Sequence, residues 1–363
     1  MVIPRLKTLF CAASGDELAV SFDQRSVVTL ADPDGRVRQL LALLSEGSRT
    51  PDALASELGA PLGEVAAAIG SLDELGWLED GAAGAGLDAE VRERHHSNLA
   101  FLDMFSSLAR SSADMQRKVF DAHVAVLGVG GLGAGVTQHL VGLGVRRLTL
   151  LDFDQVDRRN FARQFTYTPA QLGLSKVEQV AAWVTAFEPR AQVRSVHRRV
   201  TGPHVVAGLL DDVDLLIAAL DTPPEVDLWV NQACVPAGVP FIRGGLSYRR
   251  GLYWSVDPGR SACRQCLETF RAGQAERDGT AGVSAWPRIL EPDQVNRSNG
   301  PVAGVLAGLV GMEALRYLTG FVPPVSGGNY QLVDFSAACE TSVESWPRDP
   351  GCDVCATAPG GAR

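Results

Sequence analysis

No apolar run in this 363-residue chain reaches the ~18 residues expected of a membrane-spanning helix; the longest candidate, Val302 to Met312, ends at Glu313. No secretory signal is expected either. Met1 to Ser14 has basic and small residues around Cys11, but its apolar stretch is shorter than the ~7–15 residues of a signal core. Nor is there an even set of cysteines to build a disulfide framework: the seven include two Cys-x-x-Cys pairs, which points to metal binding in a reducing cytoplasm. Positive charge is also in deficit. The formal net charge is −9, and residues 1–90 hold 15 Asp/Glu against six Lys/Arg, whereas residues 91–363 hold 27 of each sign. An acidic front end lacks the phosphate-neutralising charge that a non-specific nucleic-acid binder requires.

What is present is ordinary for a globular protein: 46% hydrophobic and 21% charged residues, and enough length for two domains at roughly 100–200 residues each. The small-residue stretch Gly81 to Gly86 marks a boundary, giving a first domain over residues 1–80, a linker over 81–93 and a second domain over 94–363. Before the linker, Glu17 to Leu30 alternates as a hairpin does. Three helical patterns follow, opened by Asp32-Pro33, Thr50-Pro51 and Pro61, with Gly59 and Gly76 closing the second and third. Trp77-Leu78 starts a returning strand. A hairpin with three short helices is a winged helix-turn-helix arrangement.

After the linker, Asn98 to Phe120 has a helical pattern, and strands then alternate with helices from His123 onward. This predicts an α/β fold, a Rossmann-like, doubly wound, mainly parallel sheet covered on both faces. Gly251–Val256 and Tyr330–Phe335 read as antiparallel additions, and Val302–Leu318 as a buried apolar helix.

Three groups of residues carry chemistry. The first is Gly128-Val129-Gly130-Gly131-Leu132-Gly133, directly after an apolar strand and opening a helix. Its glycines permit a tight turn and let backbone N–H groups approach a phosphate at the positive end of the helix. Asp152, 19 residues after Gly133, ends the next strand, where an acid hydrogen-bonds a ribose. NAD and ATP both fit this much. The second group comprises Asp154, then Asn160 to Gln164, then Lys176, 13 residues after Arg163, and Asp221 after a later strand. The third is Cys263-x-x-Cys266 with Cys352-x-x-Cys355, four thiolates spaced for a closed structural Zn²⁺ site at the C-terminal part. Cys234 and Cys339 read as small buried apolar residues.

In these motifs the chain resembles the ubiquitin-activating-enzyme superfamily, in its HesA/MoeB/ThiF branch, over about residues 94–355. The resemblance implies an ATP-dependent adenylyltransferase that forms an acyl adenylate and releases pyrophosphate. It implies that Asp152 holds the ribose, that Arg163 and Lys176 hold the triphosphate, and that Asp221 holds Mg²⁺, with Asp154, Asn160 and Gln164 completing the nucleotide site. It also implies a homodimer. Two departures stand out. The segment from Leu267 to Pro301 has no cysteine, so no covalent thioester step is expected. Ser97, within Arg94-His95-His96-Ser97-Asn98, stands where the family has an arginine that reaches a partner's nucleotide.

The third helix of the front end carries Glu64, Asp73 and Glu74 and no Lys or Arg, which opposes a DNA-reading role. That small domain is similar to the precursor-peptide recognition domains of ribosomal-peptide biosynthesis, where a leader peptide adds a strand to a sheet edge. Together the two domains suggest adenylation of a peptide carboxylate, with no nucleic-acid or membrane partner. Activation of a ubiquitin-like sulfur carrier and a non-catalytic leader-binding scaffold are the competing readings.

Overall fold

A computed structural model describes residues 2–22, 26–280 and 298–359. The chain divides into two units, Met1–Lys118 and Val119–Arg363.

In the first unit, β1 (Pro4–Leu6), β2 (Phe10–Ser14), β3 (Glu17–Ser21) and β4 (Val28–Ala31) precede α1 (Arg36–Ser45), α2 (Pro51–Leu58), α3 (Leu62–Glu74) and β5 (Leu78–Asp80). The expected hairpin is β3 with β4, and β2 adds to its other side as a third antiparallel strand. The returning strand β5 pairs with β1 in a separate ribbon. Local hydrogen bonds mark the starts of α1 and α2, whereas α3 opens behind Pro61 with no side-chain cap. Asp32 accepts the Val37 N–H at 2.8 Å, and Thr50 accepts the Ala53 N–H at 3.3 Å, with Pro51 at the first helical position. The apolar faces meet in one core of Leu18, Val20, Leu40, Leu44, Leu54, Val65, Ile69 and Trp77.

The chain continues through α4 (Ala89–Arg94), α5 (His96–Asp103) and α6 (Ser112–Asp121). The helix expected over Asn98–Phe120 is therefore broken. Ser107 and Arg110 pair as a short bridge, and Ser111 exchanges hydrogen bonds with Asp114 to start a new helix. Serines here offer the backbone local partners that compete with a continuous helical ladder.

The second unit runs β6 (His123–Leu127), α7 (Gly131–Leu143), β7 (Arg147–Asp152), α8 (Lys176–Phe187), β8 (Gln192–His197), α9 (Pro203–Ala207), β9 (Leu215–Ala218) and α10 (Val226–Ala237). It then continues as β10 (Phe241–Ser247), β11 (Arg250–Val256), α11 (Arg264–Arg277), α12 (Gly300–Thr319), β12 (Asn329–Asp334), β13 (Glu340–Ser345) and α13 (Asp353–Ala356). The eight-stranded sheet has the order β13-β12-β11-β10-β9-β6-β7-β8. The run β10-β9-β6-β7-β8 is parallel, and β11 to β13 extend it antiparallel. Chain order turns from one direction to the other between β6 and β9. That is the switch point beyond whose strand ends an open α/β sheet binds ligands.

Helix α12, 20 residues long, is apolar enough by length and composition to cross a membrane. It packs instead against α7, β10 and β11. Its Glu313 is fully buried and accepts the backbone N–H groups of Val325 and Ser326 and the Ser326 hydroxyl. Cys234 is buried as expected, whereas Cys339 is exposed in the turn between β12 and β13 with φ +61°. Strand β12 ends at Asp334 and β13 begins at Glu340, so Cys339 falls in the turn rather than in a strand. Part of the cysteine-free segment Leu267 to Pro301, residues 281–297, lies outside the described residues.

Candidate active site

The glycine turn fills the switch point. Gly128 has φ +86°, and a Cβ there would meet the Ala219 carbonyl oxygen at 2.8 Å. At Gly133 a Cβ would lie 1.7 Å from the Gly128 oxygen, so the turn closes on itself only without a side chain. Gly130 and Gly131 leave open the approach to the start of α7, with the Gln164 and Arg163 side chains beside them. Tyr167, which no motif pointed to, pins the turn by donating its hydroxyl to the Val129 carbonyl at 2.9 Å.

Asp152, at the end of β7, is buried and accepts the N–H groups of Val129 and Asp154, each at 2.8 Å. Burial raises its pKa, while those two N–H groups and the Lys176 charge pull the other way. Lys176 opens α8 with its backbone N–H on the Asp154 carbonyl and its Nζ on the Asp154 carboxylate at 2.8 Å. It is buried, and one of three lysines in the chain. Asn160 turns its amide oxygen back to the Asp157 N–H at 2.9 Å, forming a capping box that shapes the 158–162 turn. That turn delivers Arg163 and Gln164 to the glycine loop. Arg163 loses basicity to burial, and the Asp221 charge partly restores it.

Asp221 follows β9, with its side chain 69% exposed. A second residue not singled out from sequence meets it there. Arg243, in β10, donates Nη2 to the Asp221 carboxylate at 3.3 Å and Nε to Asp227 at 2.7 Å. Burial opposes the Arg243 charge, and Asp227 and Asp221 together more than compensate, leaving its pKa above the ordinary value. The one local signal was an arginine inside an otherwise apolar strand, directly before Gly244-Gly245.

The donor set fits a nucleoside triphosphate. A glycine cradle faces a helix N-terminus, with Arg163 along Gly131 and Lys176 on Asp154 as its cations. Two buried polar atoms beside the cradle and Lys176, Gln164 Oε1 and Ser175 Oγ, have no hydrogen-bond partner. Such groups are costly unless a ligand or water engages them.

The four predicted cysteines Cys263, Cys266, Cys352 and Cys355 are all buried, with Sγ atoms within 4.8 Å of one another. Contacts of 3.8, 3.7 and 3.5 Å match the edges of a tetrahedron of sulfurs ~2.3 Å from a zinc ion, which are about 3.8 Å long. Asn231 of α10 donates its amide to Cys263 Sγ at 3.6 Å and accepts the Arg264 N–H at 2.9 Å. The Asp349 N–H reaches Cys266 Sγ at 3.4 Å. The Cys266 thiol is pulled down in pKa, chiefly by the hydrogen bond from Cys263. The cluster is compatible with zinc and has no open position for catalysis.

A glycine loop at the switch point, with Arg163 and Lys176 beside it, fits a nucleotide-dependent α/β enzyme. The chain belongs to the ThiF family, whose profile matches residues 104–354, and it is an ATP-dependent adenylyltransferase. Among curated relatives, the molybdopterin-synthase adenylyltransferase of Escherichia coli K12 is 31% identical over 248 residues, covering 67% of this chain and 90% of that one. The sulfur carrier protein ThiS adenylyltransferase of the same organism is 29% identical, covering 67% and 89%. Among solved structures, the E. coli enzyme MccB with succinimide superposes with a TM-score of 0.76 at 18% identity, covering 97% of this chain and 99% of that one. MccB with ATP gives 0.73 at 18%, with the same coverage. The architecture is thus MccB-like, a mixed α/β fold with a large, mostly parallel sheet.

Proposed function

We propose that this enzyme adenylates a carboxylate of a ribosomally made precursor peptide, its C-terminus, in natural-product biosynthesis. Residues 1–80 serve as a winged-helix-like module that holds the leader, 81–93 as linker and 94–363 as the adenylating domain. The observation that carries this reading is coverage. The sulfur-carrier relatives account for 67% of the chain, whereas the likeness to MccB extends over 97%, the front end included. MccB has been solved with N-formylated MccA. The acidic charge of residues 1–90 suits a peptide partner rather than DNA.

A carboxylate is already a nucleophile, so the reaction needs alignment and charge neutralisation rather than a general base. Its oxygen attacks the α-phosphorus, the bond from that phosphorus to the bridging oxygen breaks, and pyrophosphate leaves with the electron pair. In this reading Asp152 holds the ribose, and the Gly128–Gly133 turn receives the phosphates. Arg163 and Lys176 offset the charge that builds on the phosphates, and Asp154, Asn160 and Gln164 keep them in place. Asp221 holds Mg²⁺, which supplies Lewis-acid stabilisation of the phosphate oxygens when bound. Zn²⁺ in the four-cysteine cluster is structural. The enzyme acts in the cytoplasm, as a homodimer.

Exchange of labelled pyrophosphate into ATP, driven by the cognate precursor, tests this. We expect exchange with the peptide and none with its C-terminal amide. Asp221→Ala should abolish exchange and leave leader binding intact. Activation of a sulfur carrier ending in Gly-Gly is the second reading, favoured by the 31% identity to the molybdopterin-synthase enzyme; exchange driven by such a carrier and not by a peptide would establish it. ATP binding without exchange on either substrate would leave the scaffold reading.

A further inference from the structure

The cations of the site divide by position. Arg163 lies along Gly131 of the phosphate turn, and Lys176 is held by Asp154. Arg243 belongs to neither. Its strand β10 runs parallel to β9 with Arg243 opposite Ala218, so the guanidinium stands at the same end of the sheet as Asp221, across that carboxylate from the phosphate turn. The next residue shows how closely this strand borders the turn: a Cβ on Gly244 would meet Leu132 at 2.7 Å. Nη1 of Arg243 donates to the Gly244 carbonyl and Nε to Asp227 at 2.7 Å. These two bonds fix the plane of the fork, and Asp227 is only 23% exposed. The third contact differs in kind. Nη2 meets Asp221 at 3.3 Å, and that carboxylate is 69% exposed while the Arg243 side chain is 11% exposed. A long bond to a solvated carboxylate is weakly held and readily exchanged, whereas an anchored, nearly buried guanidinium presents a preformed site for a carboxylate.

We propose that Arg243 is the receptor for the substrate carboxylate, and that Asp221 masks it until the divalent cation accompanying ATP draws Asp221 away. The inference rests on the carboxylate-activating chemistry of the family. It holds for a precursor peptide or a Gly-Gly tail alike, since both end in an α-carboxylate. Nucleotide and metal then bind before the acyl substrate, because the same acid that takes the metal releases the arginine. In the unmasked state the guanidinium neutralises and orients the carboxylate through hydrogen bonds, with no covalent bond formed.

The test uses N-acetylglycylglycine and its C-terminal amide as probes, with ligand-observed NMR on the full-length protein. Wild type should bind the acid in preference to the amide only when Mg²⁺ and the non-hydrolysable nucleotide AMP-CPP are present. Asp221→Ala should bind the acid with neither present. Arg243→Gln should lose the acid-over-amide preference by roughly tenfold or more, the size of a lost charged hydrogen-bonded contact. Arg243→Lys should recover part of it. AMP-CPP should bind Arg243→Gln no more weakly than wild type, which a merely structural role for the arginine would not allow. Equal binding of acid and amide by wild type with Mg²⁺ and AMP-CPP would overturn the proposal, as would an Asp221→Ala protein that stays blind to the acid. Failure of AMP-CPP itself to bind would instead count against the adenylation site, and failure of the cognate precursor in pyrophosphate exchange against the peptide reading alone.

Discussion

Replacing Gly133 by alanine places a methyl group where the Gly128 oxygen stands, since even an ideal Cβ would approach it to 1.7 Å. Backbone cannot yield as a side-chain tip can, so the phosphate turn must open. Gly133→Ala should lose AMP-CPP binding in a calorimetric titration, while Gly142→Ala, on the same helix with open space around it, should bind normally. Gly133, Asp152 and Lys176 were legible in the sequence because strand, turn and helix follow one another there, and the required residue types recur at fixed local offsets. Arg243, Tyr167 and Asn231 were not. Tyr167 meets Val129 across 38 residues, Arg243 meets Asp221 across 22, and Asn231 meets Cys263 across 32. Each contact exists only once the sheet has formed. No local offset encodes it.

Elements with strong local punctuation appear where the sequence puts them. Helix α2 starts at Pro51 behind Thr50 and stops at Gly59, whose φ is +60°. Strands β1 and β2 have no signature in the sequence, because a three-residue strand and an exposed five-residue edge have no periodic burial to display. The start of α1 rests on Asp32, whose side chain is wholly buried and accepts both the Val37 N–H and, at 2.6 Å, the Arg38 guanidinium. Burial raises the Asp32 pKa, but Arg38 and the backbone donors outweigh it, so the net shift is downward. A depressed carboxylate pKa means that the folded state holds the proton less tightly than the unfolded chain. The stabilisation is present above the ordinary aspartate range and is lost as pH falls through the folded-state value. Hydrogen exchange should therefore show the amides of α1 opening on acidification below that range, and Asp32→Asn should open them at neutral pH too. The cysteine clip joins the start of α11 to α13, with Cys263 and Cys352 89 positions apart. Asn231→Ala removes the donor to Cys263 Sγ, and loss of such an outer contact lowers metal affinity by roughly 10–100-fold. Chelator competition measures it. Trp346, whose indole donates to the Cys263 carbonyl at 3.2 Å, provides a fluorescence signal for metal loss.

For the whole molecule, the informative quantity is where charge sits. The net −9 belongs to residues 1–90, where the acids outnumber the cations that pair with them. Asp32 and Glu79 are buried against Arg38 and Arg5, and Glu46 and Glu57 share Arg49. Asp16, Glu17, Asp52, Glu64, Glu74, Asp88 and Glu90 remain exposed. Strand β2 is exposed throughout and, among the described residues, is an edge of its sheet, with Asp16 in the turn that follows and Glu17 at the start of β3. An unpaired edge offers backbone hydrogen bonds to any extended peptide, so charge decides which peptide is attracted. A leader docked on this unit should be neutral to basic. Raising salt from about 0.1 M to about 1 M shortens the Debye length from ~10 Å to ~3 Å, which removes attraction between exposed charges but leaves strand pairing in place. Leader affinity, followed by fluorescence anisotropy on the full-length enzyme, should therefore weaken steadily with salt to a plateau, mostly through slower association. Reversing Glu64 and Glu74 to lysine should flatten that dependence without altering the thermal melt, because both side chains are exposed. An affinity indifferent to salt would mean that the acidic surface has no part in choosing the peptide.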